Sequence, residues 1–391
     1  MKIINNISRN LVGIVFIFSG FVKGIDPLGS AYKFGDYFNA FGLEFLEPTA
    51  FSLAILLSSL EFIIGFSLIF STKKNLTAWA VLLFMSFFTI LTFILAIFNP
   101  VTDCGCFGDA IIMTNWQTFL KNIVLMVFTF ILFINRNKYQ TNWSNSKQWS
   151  IVSIPAIFIV LVSVYCYRHL PLIDFMPYTV GTYIPEKMAI PDDAPSAEYK
   201  TSLIYTKDGK NIEVDLNNLP DSTWQWVETK QELIQEGYVP PIHDFVIQSM
   251  TGDDITDIIL NENKFTILLV AYNLKNTKLS DIIKINALAE YCDSSNNCNF
   301  ICLTSSLQSE IDEFTQKTNA KYPFFNTDEI TLKTMIRANP GLVILKRGWI
   351  IDKWNALDTP DLNGFIKNLI NNPKYKTKSN ENESENEDLN V

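Results

Sequence analysis

Five long apolar stretches divide the first 168 residues, at roughly 9–23, 51–70, 76–98, 117–134 and 150–167. A helix needs about 20 mostly apolar residues to cross a bilayer, and the middle three stretches meet that requirement outright. The fifth does so with Trp149 and Tyr165 near its ends, where amphipathic rings sit well at the membrane interface. Lys2 and Arg9 ahead of the first apolar core also fit a secretory signal peptide. No small-x-small cleavage site follows, and further spans do, so this stretch reads as the first spanning helix. The N-terminal part of the chain is thereby committed to a helical membrane bundle.

The loops divide by charge. Lys2, Arg9, Lys73, Lys74, Arg136, Lys138 and Lys147 fall on one side of the spans, and only Lys23 and Lys33 on the other. The positive-inside rule then predicts a cytoplasmic N-terminus, a multi-pass placement in the bacterial inner (cell) membrane, and a periplasmic C-terminal domain. The lipid bilayer is the partner this composition demands. A net charge of −9 without a basic patch argues against a nucleic-acid partner. Two histidines, His169 and His243, stand far apart and argue against a histidine metal site.

Between the third and fourth spans the chain reads "DCGCFGD", residues 103–109. On the predicted topology this loop faces an oxidising compartment, where a disulfide persists. Gly105 removes the side chain that would obstruct a tight ring between Cys104 and Cys106. A Cys-x-Cys disulfide is tense, and tense disulfides are the labile ones. Three readings stay open for the pair. It is a redox couple, a static bridge or pair of thiols in a turn, or part of a metal site with Asp103 or Asp109. The third lacks the paired spacing such sites use. Glu61 lies midway along the second span, where a carboxylate is costly and should face the bundle interior. It is a candidate proton carrier or quinone contact, or else a structural hydrogen-bond partner of Ser19, Ser58 or a backbone group. Lys23 is expected to snorkel to the surface, with pairing to Glu61 as the alternative if the helices place the two at similar depth. Cys166 reads as passive.

After the fifth span, residues 169–200 read as a tether. "SLIYTKDGKNIEVDL" predicts a hairpin at Asp208-Gly209, and "PPIHDFVIQSMTGDDITDIIL" a second one around Gly252. The Trp224/Trp226 pair alternates as a strand would, with both rings expected to pack. From 264 the chain alternates strand and helix: "KFTILLVAY", a helix capped by Ser280, "NFICLTS", a helix at "SLQSEIDEFTQKTNA", a short extended "YPFF", a helix at "DEITLKTMIRA", the strands "GLVILK" and "WIIDKW", and a last helix near 360–371. Cys302 reads as core, Cys292 and Cys298 as a loop-closing disulfide or free thiols in preference to a relocated redox pair, and His243 as a loop residue. Residues 374–391 have almost nothing to bury and are expected to be disordered.

Two resemblances follow from these motifs. "FSGFVKGIDP", Glu61 in "SSLEFIIGF", and "DCGCFGD" make residues 1–135 similar to the MauE/DoxX family of small helical-bundle membrane proteins. That resemblance implies thiol-disulfide and quinone-linked redox processes; MauE itself is tied to maturation of methylamine dehydrogenase, a client nothing in this sequence indicates. "HDFVIQSMTGDDIT", "FTILLVAYN" and "ANPGLVILKRGWIIDKW" make residues 241–373 similar to a thioredoxin-like fold of the peroxiredoxin/TlpA type. Pro340 is then the candidate cis-proline, and Asn339, Pro340 and Gly341 the expected partner contact. The Cys-x-x-Cys that should follow the central strand is missing: that position reads "YNLKNTKLSD". The full architecture also resembles a Bacteroides-type group of DoxX-like proteins.

The expected protein is therefore multi-domain. It has a four-helix MauE/DoxX-like membrane domain (1–135), a cytoplasmic loop and fifth spanning helix (136–168), a periplasmic tether and β-hairpin region (169–240), an α/β thioredoxin-like domain without Cys-x-x-Cys (241–373), and a tail (374–391). The leading functional expectation is a thiol-disulfide relay at Cys104 and Cys106, in which a membrane quinone is the candidate cofactor and a periplasmic redox protein or client the candidate partner. The rivals are a non-catalytic membrane-anchored scaffold whose degenerate thioredoxin-like domain docks a partner, and a quinone-binding membrane subunit without thiol turnover.

Overall fold

The computed structural model describes residues 2–138, 143–207, 209–216, 218–235, 237–295 and 297–372. In the N-terminal part, α1 (Lys2–Ile25), α3 (Ala50–Ile69), α4 (Lys74–Phe98), α5 (Asn115–Ile134) and α6 (Asn145–Arg168) are the five helices long and apolar enough to cross a membrane among the described residues. A shorter helix, α2 (Pro27–Ala40), and a 3-10 turn (Glu44–Thr49) fill the connection from α1 to α3. Val12, Phe16, Leu68, Val81, Met85 and Leu125 close the bundle's interior. Leu83, Phe87, Ile90 and Leu161 are each more than half exposed on its outside, as hydrocarbon-facing side chains should be.

The backbones of α1 and α3 come into direct contact. A Cβ on Gly20 would lie 2.6 Å from both the Phe62 nitrogen and the Ser58 carbonyl oxygen. Lipid offers no hydrophobic force between helices, so small residues that let backbones touch are what hold such pairs together. One turn beyond Gly20, this approach sets Lys23 opposite Glu61.

The C-terminal part begins with a small antiparallel sheet of β1 (Glu198–Lys207), β2 (Lys210–Asp215) and β3 (Gln225–Gln235), in the order β2-β1-β3. Lys207 pairs with Lys210 across the turn, so the first hairpin forms as expected; Asp208 in that turn lies outside the described residues. Trp226 pairs with Tyr205 through β3 but is 59 % exposed. Its ring is therefore mostly exposed rather than packed.

The main sheet runs β6-β5-β4-β7-β8, from β4 (Phe265–Val270), β5 (Cys298–Thr304), β6 (Phe324–Asn326), β7 (Gly341–Lys346) and β8 (Trp349–Asn355). β4 is parallel to β5 and antiparallel to β7. Every β4 side chain is buried, as its unbroken apolar run requires. Ile267 and Leu269 face one core, with α9 (Leu279–Ser295), α10 (Gln308–Thr318) and α12 (Leu362–Phe365). Leu268 and Val270 face the other, with α7 (Ile184–Met188), α8 (Thr256–Leu260) and α11 (Glu329–Met335). Parallel strands joined through helices, then a cis Asn339-Pro340 bond and an antiparallel hairpin, give a thioredoxin-like domain.

Four local expectations are corrected. Residues 169–200 are no loose tether. Tyr178 and Ile184 are buried in the second core, Tyr183 bridges Trp349, and Asp174 accepts from the Lys353 ammonium at 2.7 Å. The hairpin around Gly252 shrinks to one bridge, Gln248 to Asp254. "ITDIIL" turns helical because Asp254 Oδ1 accepts from the Thr256 amide and hydroxyl, turning the chain into α8. Ser280 lies inside α9, which starts at Leu279, so it is no cap. Lys23 does not snorkel: it is buried. The tail at 374–391 falls outside the described residues.

Replacing Gly20 by Leu forces a side chain into the α3 backbone, which cannot yield as a side chain could. We expect a loss of about 1–3 kcal/mol, read as a lower thermal midpoint in detergent, while Gly35→Leu, at a site with open space, leaves the midpoint unchanged.

Candidate functional site

The turn at 103–109 is built by its own polar groups. Asn115, at the start of α5, donates from Nδ2 to Asn99 Oδ1 and to the Val101 carbonyl, both at 2.7 Å. This ties the two ends of the loop together. Asp103 Oδ1 accepts from the Gly105 amide at 2.9 Å. Gly105 takes φ +62°, a left-handed conformation that favours glycine. The Ser19 hydroxyl donates to the Cys106 carbonyl and the Tyr37 hydroxyl to the Cys104 carbonyl, each at 2.7 Å. Lys33 pairs with Asp103 at 2.9 Å, and its stem lies over Gly105.

These constraints bring Cys104 Sγ to 3.0 Å from Cys106 Sγ. Both thiols are free. The hydrogen bond from the Cys104 thiol holds Cys106 below an ordinary thiol, with Lys121 and Lys23 acting in the same direction against burial. The same hydrogen bond and burial raise Cys104. A thiolate is the nucleophilic form of cysteine, so this asymmetry prepares one sulfur of the pair to attack.

Both cysteines line an apolar cavity of about 240 Å³ between α1, α2, α3, α4 and α5, together with Phe84, Phe88, Lys121 and the Lys23–Glu61 pair. Lys23 Nζ lies 2.5 Å from Glu61 Oε1, and both side chains are under a tenth exposed. Glu61 therefore faces the interior, but its partner is Lys23. Ser19 is spent on Cys106 and Ser58 on the Ile55 carbonyl. Glu61 Oε2 has no partner among the described residues. An ion pair at membrane depth rarely repays its desolvation by stability alone.

The second predicted contact lies elsewhere. Asn339 and Pro340 line a polar chamber of about 640 Å³, with Tyr272 and Asn273 after β4 on one wall and Tyr32, Lys33 and Asp36 of α2 on the other. Asn339 donates to the Asn273 carbonyl at 2.8 Å, and Gly341 is buried in β7. Gly29, Lys33 and Asp109 line both spaces, so only the first half of α2 separates the chamber from the thiols.

The family model of the methylamine utilisation protein MauE matches residues 1–135. This part of the chain is a MauE domain. A second family model, for a domain of unknown function (DUF8463), matches residues 199–236, the small three-stranded sheet. The MauE domain thus carries Cys104, Cys106, Glu61 and Lys23, and the chamber lies between it and the thioredoxin-like domain. No curated protein matches the chain. Solved structures similar to its C-terminal part include a candidate protein disulfide isomerase from Bacteroides thetaiotaomicron, at 13 % identity and TM-score 0.27, covering 32 % of this chain and 83 % of that one. A secreted disulfide oxidoreductase from Mycobacterium tuberculosis is similar at 12 % identity and TM-score 0.24, covering 30 % of this chain and 84 % of that one.

Cys292 and Cys298 form a disulfide between α9 and β5, with Cα atoms 4.9 Å apart. Both are buried in a core away from the cis-proline loop. Cys302 is buried among the same residues, and Cys166 is buried in α6. His243 pairs with Asp244 and the Pro240 carbonyl on the surface. No group of residues able to hold a metal ion occurs among the described residues. Sequence reasoning missed Lys33, Tyr37 and Lys121 around the thiols; the glycine between the cysteines was the one hint that a neighbour lies close.

Removing Lys23 alone leaves Glu61 without its partner in the bundle. Lys23→Met should cost about 3–5 kcal/mol, and Lys23→Met with Glu61→Leu should recover most of it. Thermal unfolding in detergent checks this; a double variant no better than the single one contradicts it.

Proposed function

We propose that this protein is a membrane thiol-disulfide relay whose redox centre is the Cys104/Cys106 pair of the MauE domain. The observation that carries the reading is the placement of two free sulfurs 3.0 Å apart on the wall of an apolar cavity inside the helical bundle. Oxidation of the pair forms one S–S bond and releases two electrons and two protons. A lipid-soluble acceptor that takes up both is a quinone, which becomes a hydroquinone. The cavity's aromatic walls suit its ring. Glu61 Oε2, with no partner among the described residues, accepts a proton from the thiols or a hydrogen bond from a hydroquinone hydroxyl. On the opposite side, a thiol client regenerates the dithiol by accepting the disulfide through a mixed-disulfide intermediate.

The thioredoxin-like domain docks rather than reacts in this scheme, with Asn339, Pro340 and Gly341 as its contact loop. Its central strand is followed by Tyr272 and Asn273 where the nucleophile would stand. The loop charges support a cytoplasmic N-terminus and a periplasmic client. A scaffold reading, with Cys104 and Cys106 static, draws on one observation: the cis-proline loop is turned onto its own chain.

Thiol trapping in intact cells separates the two. Cells are acid-quenched and alkylated with a heavy maleimide before and after reduction, with the quinone pool held reduced or oxidised. The relay predicts that the pair follows the pool, and that Glu61→Gln slows the response about tenfold or more. A pair locked in one state throughout overturns the relay and leaves the scaffold.

A further inference from the structure

The seam between the two domains converges on one side chain. Arg337 ends the turn after α11, two residues before the cis-proline loop, and is 7 % exposed. Its Nε donates to Asp26 Oδ2 at 2.9 Å and its Nη2 to Asp109 Oδ2 at 2.8 Å. Asp26 is the N-cap of α2, where its other oxygen accepts from the Gly29 amide. Asp109 is the last residue of the cysteine turn. One guanidinium from the thioredoxin-like domain therefore holds both the start of α2 and the end of "DCGCFGD". Arginine's planar fork suits two carboxylates in this way, where lysine's point charge does not.

The rest of the seam supports the same grip. The Tyr32 ring of α2 has Lys333 4.9 Å and Arg337 5.4 Å from its centroid, and its hydroxyl lies 3.0 Å from that of Tyr272. From this anchored helix, Lys33 covers Gly105 and Tyr37 holds the Cys104 carbonyl. Cys104 is 7 % exposed beneath them.

We infer that Arg337 is a positioning residue which clamps α2 over the cysteine turn, so that the partner of the thioredoxin-like domain's cis-proline face is its own MauE domain and this docking governs access to Cys104 from outside the bilayer. The inference deepens the relay reading by naming how the outer side of the dithiol is closed. Its geometry does not require that the thiols turn over. A client then reaches the cysteine pair by displacing the clamp.

The test is maleimide labelling of the full chain in native membranes, resolved by peptide mass, in a Cys106→Ser, Cys166→Ser background. Cys104 then reports the lid, and Cys302, buried in the thioredoxin-like core, reports unfolding of that domain. We expect Arg337→Ala to speed Cys104 labelling about tenfold while Cys302 stays protected, with Arg337→Lys in between. Unchanged Cys104 labelling with Cys302 protected overturns the inference. Where Arg337→Ala exposes both thiols, Asp109→Asn and Gly29→Ala decide, since both leave the outer domain's sequence intact. A Cβ on Gly29 would lie 2.3 Å from Asp26 Oδ2 and 2.9 Å from Arg337 Nη2. Protection of Cys104 in both variants also overturns it. Failure of the relay in the quinone-pool experiment would leave this labelling result standing, so the two claims fail separately.

Discussion

The ion pair of Lys23 and Glu61 is the constraint around which the membrane half is arranged. Two charges within a bundle that faces lipid are expensive to hold, and they need close approach and mutual neutralisation. The α1–α3 contact at Gly20 supplies that approach. Because α1 must lie against α3, Ser19 faces the connection from α4 to α5 and accepts the cysteine turn as a neighbour. The same helix carries Asp26 just beyond its end, where it caps α2. The thiol pair, the lid above it and the cavity below it thus all take their positions from one helix–helix contact.

The thioredoxin-like domain is placed by two sets of bonds. One runs along the segment after α6, where Asn355 donates to the His169 carbonyl and Lys353 reaches Asp174. The other is Arg337 with Asp26 and Asp109. Burial works to lower Arg337, and the two carboxylates outweigh it and raise it, so the clamp stays charged at any physiological pH. The domain keeps the strand order and proline loop of its fold without its thiols, and on the proposed reading the chemistry has moved to the membrane domain that it covers.

Much of this was legible in the sequence. Spanning segments announce themselves by length, and the strand order from Phe265 to Asn355 by runs of apolar residues too short for helices. "DCGCFGD" stood out because two cysteines around one glycine have few uses. The Lys23–Glu61 pair was legible only as an alternative to snorkelling, because it depends on the depth at which two helices cross, which Gly20 sets and periodicity does not report. Arg337 was hidden by distance: it lies 311 residues from Asp26 in the chain. The segment after α6 looked like a tether because proline and aspartate signal loops, yet the buried Tyr178 and Ile184 within it anchor it to the second core. Trp226 misled in the opposite way, since an alternating aromatic pair signals a strand and says nothing about whether a second layer covers it.

The central claim is that the dithiol and the apolar cavity are one redox site. The most direct measurement is a single turnover with purified, dithiol-reduced protein in lipid nanodiscs, without oxygen, after adding a quinone. Free thiols and hydroquinone are counted together. Two thiols should disappear for each hydroquinone formed, and Cys104→Ser or Cys106→Ser should abolish both changes. Hydroquinone that does not form, or thiols that disappear without it, would contradict the account.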